Sequence, residues 1–202
     1  MNNIQHTVLK MSAVLCLVSS ASCAPAPPAT APDYSAPPPE ISQDFHIENQ
    51  EVVTIDLPRD DFLRWKKSTD LSSILTATEG MPAVERTVML SGGEWGDVGD
   101  RRRVELADGH YAVETILEST DERFRYQVWG FTNQAGQFAD YAMGEFIYED
   151  KGDHTVVTWT YRFRPNSRLA RIPLSRFVRN SFQGFMENGL SRMKSEAENS
   201  TS

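Results

Sequence analysis

The stretch PLSRFVRNSFQGFMENGLSRMKSEAE, residues 173–198, spaces its apolar side chains at a helical period. Leu174, Phe177, Val178, Phe182, Phe185, Met186, Leu190, Met193 and Ala197 fall on one stripe of a 3.6-residue helix. Arg176, Arg179, Asn180, Gln183, Glu187, Arg192 and Lys194 take most of the other face. Pro173 suits a first turn, where its missing N–H is not needed. Such a helix spans roughly 37 Å at ~1.5 Å per residue. Its stripe has to be covered, and the only other large apolar surface is the strand-rich block 84–164. The expected fold is therefore α+β: a curved antiparallel sheet of about six to seven strands wrapped on one long C-terminal helix. Gly184 and Gly189 weaken the helix by roughly 1 kcal/mol each. They mark a close backbone approach, space kept for a ligand, or simply a weaker helix.

Working outward, the block divides into strands at its turns. Asp108-Gly109 is a two-residue hairpin signal. It predicts Leu106 opposite Tyr111, Val104 opposite Val113 and Arg102 opposite Thr115, with Arg103–Glu114 and Arg101–Ile116 on the reverse face. A second turn at Thr120-Asp121 predicts Leu117 opposite Phe124, Thr115 opposite Tyr126 and Val113 opposite Val128. On its reverse face Glu118 meets Arg123 and Glu114 meets Gln127. Both hairpins then have one apolar face and one face of adjacent opposite charges. Arg102 breaks the pattern by pointing inward. An unpaired buried charge costs several kcal/mol, so Arg102 requires an internal acid, loop carbonyls or the polar head of a ligand.

Asp140–Glu149 and Thr155–Arg164 form the last hairpin, turning through Asp150–Asp153, with Gly144 expected opposite Trp159 to make room for the indole. The inner face collects Tyr111, Phe124, Tyr126, Phe146, Tyr148, Trp159, Tyr161 and Phe163. They form either a tightly packed core or the wall of a cavity whose polar tips orient a ligand. Ahead of this lie a strand at Val52–Ile55, a short helix at Asp60–Trp65, a second one capped by Ser68-Thr69-Asp70, and a strand at Val84–Leu90. Ser91–Asp100 is glycine-rich but lacks the Lys-Ser/Thr ending of a phosphate loop and opens no helix, so nucleotide binding is not expected there.

The chain has 202 residues, 40% hydrophobic, and a formal net charge of −8, which suits one domain with extensions and no nucleic-acid partner. His6, His46, His110 and His154 show no metal-ligand spacing. Cys16 and Cys23 both precede the domain, so no metal, cofactor or disulfide is expected. Residues 1–22 have the pattern of an export signal: Lys10, the apolar run Met11–Val18, and the small residues Ser19–Ser22. Ser20-Ala21-Ser22-Cys23 resembles a bacterial lipoprotein box, which predicts a lipid anchor on Cys23; ordinary cleavage after Ala24 is the alternative. Residues 23–44 hold seven of the eleven prolines and favour extended polyproline II, a tether reaching about 60 Å at ~3.1 Å per residue. The domain is expected over 45–198, with a disordered tail at 199–202. Ala24, where an inner-membrane lipoprotein would carry Asp, favours the outer membrane; without the lipid the product is periplasmic.

WGDVGDRRRVELADG (95–109), VETILEST (113–120), FRYQVWG (124–130), TVVTWTYRFRP (155–165) and FMENGLSRMK (185–194) stand in an order that resembles the START-like superfamily. This superfamily is also called SRPBCC or polyketide cyclase/dehydrase-like. Its G-x-x-R-x-V segment falls on Gly99, Arg102 and Val104. The resemblance covers essentially the whole domain and implies the helix-grip fold, with a hydrophobic cavity between sheet and helix. Members include binders, transporters and cyclases, so the fold leaves activity open.

The leading expectation is a cell-envelope binder or carrier of an apolar or amphipathic, lipid-like small molecule. Tyr126, Trp159, Tyr161, Phe182 and Phe185 would line its pocket, with Arg102 and the neighbouring Thr115 toward the ligand's polar end. A cyclase- or hydrolase-type enzyme would need an inward acid or base, and the candidates are Arg102, Tyr126, Tyr161 and Asp140. Glu114 and Glu118 are expected to face outward. A ligand-free interaction module would instead expose Trp65, Trp95 and Trp129 together.

Overall fold

A computed structural model describes residues 24–44 and 46–200; the export signal, Cys23 and the last two residues of the expected tail lie outside the described residues. The chain runs β1 (Ile47–Ile55), α1 (Arg59–Ser68), α2 (Leu71–Ile74), β2 (Val84–Met89), β3 (Arg101–Leu106), β4 (Tyr111–Ser119), β5 (Arg123–Trp129), β6 (Ala139–Asp150) and β7 (Thr155–Pro165). It ends in α3 (Arg171–Phe177), a π-helical turn (Val178–Phe182) and α4 (Gln183–Asn199). The seven strands form one antiparallel sheet in the order β1-β7-β6-β5-β4-β3-β2. The expected stripe of the terminal helix is the buried one: Leu174, Val178, Phe182, Phe185, Met186, Leu190, Met193 and Ala197. The π-turn stacks residues five apart, so Phe177 and Phe182 lie 6.1 Å apart and both pack on Phe163. Gly189 is a close approach, because an added Cβ would sit 2.8 Å from Leu75 Cδ2. Gly184 has nothing within 4 Å of an added Cβ.

The register of the central hairpins differs from the expected one by a residue. The first hairpin closes on Leu106 and His110, leaving the three-residue loop Ala107-Asp108-Gly109 with Gly109 at φ +83°. Arg102 therefore pairs with Glu114, Arg103 with Val113 and Val104 with Ala112. In the second hairpin Ser119 pairs with Phe124, and a bulge at Leu117 sets Ile116 opposite Tyr126 and Thr115 opposite Gln127. A one-residue slip exchanges the faces of a strand. On β4 it turns Ala112, Glu114 and Ile116 inward, and Val113 and Thr115 outward. Tyr111, expected inside, also faces out, with the Arg103 guanidinium 5.8 Å from its ring centroid.

Outward Val113 joins Trp129 and Tyr141 in a small buried cluster, and the proline-rich segment covers it. Tyr34 OH donates to Gly130 O at 3.0 Å, and burial pushes its hydroxyl up to about 12. Arg101 donates to Tyr34 O and Ala36 O, Gln127 donates to Pro39 O at 2.8 Å, and Ser42 N donates to Tyr141 OH at 2.8 Å. The expected free tether is thus docked on the outer face of the sheet. Strands with one apolar flank recruit the polyproline segment through side-chain donors, since polyproline II leaves its own carbonyls unpaired.

Candidate functional site

Between the inner face and the helices lies an aromatic interior. Phe146 stacks on Trp159 at 5.0 Å and on Tyr148 at 6.1 Å, and Tyr161 meets Phe182 at 4.6 Å. Trp159 Nε1 donates to Tyr126 OH at 3.2 Å. The Tyr126 ring crosses Gly144, where any Cβ would overlap it; the room left by Gly144 therefore serves Tyr126, and Trp159 pairs with Phe146. Burial raises the Tyr126, Tyr148 and Tyr161 hydroxyls above the usual phenol range, so all three are neutral donors at physiological pH.

Two interior pockets of about 130 and 90 Å³ share the walls Leu71, Leu75, Glu114, Tyr126 and Trp159. The first adjoins an outer groove of about 510 Å³ and shares Lys66, Trp95, Arg102 and Phe124 with it. Together they reach the size range of small-molecule sites, whereas the interior alone is smaller. The groove lies between α1, the Ser91–Asp100 loop and the β4–β5 turn. Asp100 shapes that loop by accepting from Gly96 N at 3.0 Å and Asp97 N at 2.8 Å, bonds that also hold its carboxyl below the ordinary carboxylate range. The loop carries Trp95, whose ring centroid lies 3.9 Å from the Arg102 guanidinium carbon.

Arg102 Nε donates to Glu114 Oε2 at 2.7 Å, with side chains only 12% and 9% exposed. The inward arginine therefore meets an internal acid. Its outer nitrogens make no hydrogen bond among the described residues. On α1, Phe62 and Lys66 are four residues apart and share one face. Phe62 is fully buried, and the half-buried Lys66 places Nζ 4.3 Å from the Phe124 centroid and 5.4 Å from that of Tyr148. Burial first, then the Arg102 and Lys67 charges, pull the Lys66 ammonium down to about 8.

This arrangement, a sheet gripping a helix around an aromatic pocket, has counterparts. The family described as polyketide cyclase/dehydrase and lipid transport matches residues 47–198. The chain belongs to that family. Norcoclaurine synthase from Thalictrum flavum shares the fold with a TM-score of 0.58 at 14% identity, over 79% of this chain and 100% of that one. The Zhui aromatase/cyclase from Streptomyces sp. R1128 gives 0.57 at 14%, over 78% and 97%. TTHA0849 from Thermus thermophilus gives 0.57 at 18%, over 77% and 99%. No curated protein matches the sequence. Likeness at these identities is likeness of fold; the family match is what supports a hydrophobic ligand-binding architecture.

Of the residues expected at a ligand, Arg102, Tyr126, Trp159, Tyr161, Phe182 and Phe185 line one or other of the two adjoining pockets. Thr115 does not. The slipped register sends it to the outer face between Arg101 and Gln127. Asp140 is exposed, which removes it as an internal acid. Glu114, expected to face outward, is the acid inside. Trp129 lies under the proline-rich segment on the face opposite Trp65 and Trp95, so the three do not form one patch. Lys66 escaped the sequence reading, and Trp95, expected in an exposed interaction patch, stands at the pocket mouth instead. The i, i+4 pairing of Lys66 with Phe62 was the signal available; a lysine on an apolar helix face needs a reason.

Proposed function

We propose that the chain is a cell-envelope binding or carrier protein for an apolar or amphipathic small molecule held between the sheet and α4. The row of adjoining pockets from the groove to the aromatic interior carries this reading. A domain packed solid for stability would have no such row of pockets. The polar atoms along it, Tyr126 OH, the Trp159 indole and the Arg102–Glu114 pair, are few and fixed, as an orienting set should be. Purification of the full chain from its native membranes, with mass spectrometry of what stays bound, tests the reading. A lipid-like molecule at near-stoichiometric yield supports it. Repeatedly empty protein that also refuses apolar probes sinks it.

Lipidation at Cys23 belongs to the same proposal. Pro27 packs beside Gly109 in the β3–β4 loop, while the groove borders Ser119–Asp121 at the other end of β4. Nine strand residues separate those ends, roughly 30 Å at ~3.3 Å each. An anchored chain would thus turn its mouth away from the bilayer. Radiolabelled palmitate incorporation that is lost in Cys23→Ala checks the anchor.

The inward Glu114 favours one alternative, acid–base chemistry on a bound substrate. Held by Arg102 Nε, Glu114 serves better as an anchor for the guanidinium than as a base.

A further inference from the structure

Lys66 is the group that the pocket's own packing does not account for. Its ammonium lies over two aromatic rings at the junction of groove and interior, and among the described residues it has no hydrogen-bond or ion-pair partner. Beside it, the outer nitrogens of Arg102 are also without hydrogen bonds among the described residues. The Tyr148 hydroxyl, buried where its ring borders the groove, has no partner either. The buried Tyr148 donor is expensive to leave unmade, while Lys66 Nζ and the outer Arg102 nitrogens keep contact with solvent and are free to meet a ligand. The remaining charges around the groove do not answer them. Glu114 is engaged by Arg102 Nε, and Asp70, Glu94, Asp121 and Lys67 are exposed to solvent.

From this convergence we infer that the ligand carries a single carboxylate, ion-paired by Lys66 Nζ and the outer nitrogens of Arg102, with a compact apolar body reaching inward past Tyr126 and Trp159. The inference rests on the binding reading above and names the ligand class for that site. The interior limits the apolar body. A cavity of about 150 Å³ takes one benzene ring, so the two interior pockets together hold about one and a half ring-sized groups, the bulk of one fused bicycle. The depressed Lys66 pKa fits the same assignment, because an ammonium awaiting a counter-ion in a half-buried site is the charge a carboxylate would stabilise.

2-Naphthaleneacetate and its neutral amide match this body in shape and differ in charge. Isothermal titration of the full chain with each separates the two claims. At pH 7 the acid binds about tenfold or more tighter than the amide, as a charge-assisted pair implies. The preference shrinks as pH rises from 7 to 9.5, because the acid stays ionised while Lys66 loses its proton near 8. In Lys66→Arg the preference persists at pH 9.5, since guanidinium keeps its charge. In Lys66→Met the acid-to-amide ratio falls several-fold, to what the Arg102 guanidinium alone supports, whatever happens to the amide itself. Equal binding of acid and amide overturns the carboxylate inference and leaves the binding reading standing. A preference that survives unchanged in Lys66→Met also overturns it. Binding of neither probe overturns both.

Discussion

Replacing Arg102 by Met removes the guanidinium that neutralises Glu114 inside the sheet. The pair is short, at 2.7 Å, and its side chains are 12% and 9% exposed, so water from the groove takes the lost partner's place only in part. Breaking a buried pair from one side costs about 3–5 kcal/mol, because the remaining carboxylate is left uncompensated. Loss of the Arg102–Trp95 contact adds about 1 kcal/mol. A domain of this size loses roughly 2–4 °C per kcal/mol, so the midpoint should drop by about 8–24 °C. The double replacement Arg102→Met with Glu114→Met removes both charges and should recover most of the loss. Urea unfolding followed by tryptophan fluorescence, on both single variants and the double, gives the coupling free energy. We expect at least about 2 kcal/mol. A coupling near zero, or a single-variant loss under about 1 kcal/mol, is the behaviour of an exposed pair and would refute the inward geometry.

Three further outcomes follow from particular contacts. Gly144→Ala drives a methyl into the Tyr126 ring and should destabilise by about 1–3 kcal/mol, while Gly184→Ala meets nothing and should stabilise by about 0.5–1 kcal/mol; thermal melts distinguish them. Tyr34→Ala releases the proline-rich segment from Gly130, lowers stability by about 1–3 kcal/mol, and shifts Trp129 emission to the red as the outer cluster wets. Lys66 has its folded pKa lowered to about 8, so between about pH 8 and 10.5 the unfolded chain binds more protons than the folded one. Wild-type stability should therefore climb across that window relative to Lys66→Met; parallel pH profiles would contradict the burial of the ammonium.

Much of the fold was legible because it rests on periodicity. The stripe from Leu174 to Ala197, the alternation of Val157, Trp159, Tyr161 and Phe163, and the inward aromatic set on β5 to β7 each repeat often enough to be read without a partner. The hairpin register was not, because it turns on single residues. Asp108-Gly109 suits a two-residue turn and a three-residue loop with Gly at positive φ alike, and only the second pairs Arg102 with Glu114. The bulge at Leu117 has no mark in the sequence. Its effect is large, since it exchanges Glu114 for Thr115 at the pocket. Nor do the prolines of 24–44 announce that they dock, because the donors that hold them, Arg101 and Gln127, look in sequence like ordinary outward polar residues on a charged face.

The central claim is that small molecules enter the interior between sheet and helix. The indole N–H of Trp159, bonded to Tyr126 OH in the wall shared by both inner pockets, is a single resonance that reports on it. Titration of ¹⁵N-labelled protein with 2-naphthaleneacetamide should shift that signal saturably, together with the Gly189 amide on the helix side of the same pocket. Saturable shifts confined to the outer face around Trp129, or an indole signal that never moves, would contradict the account.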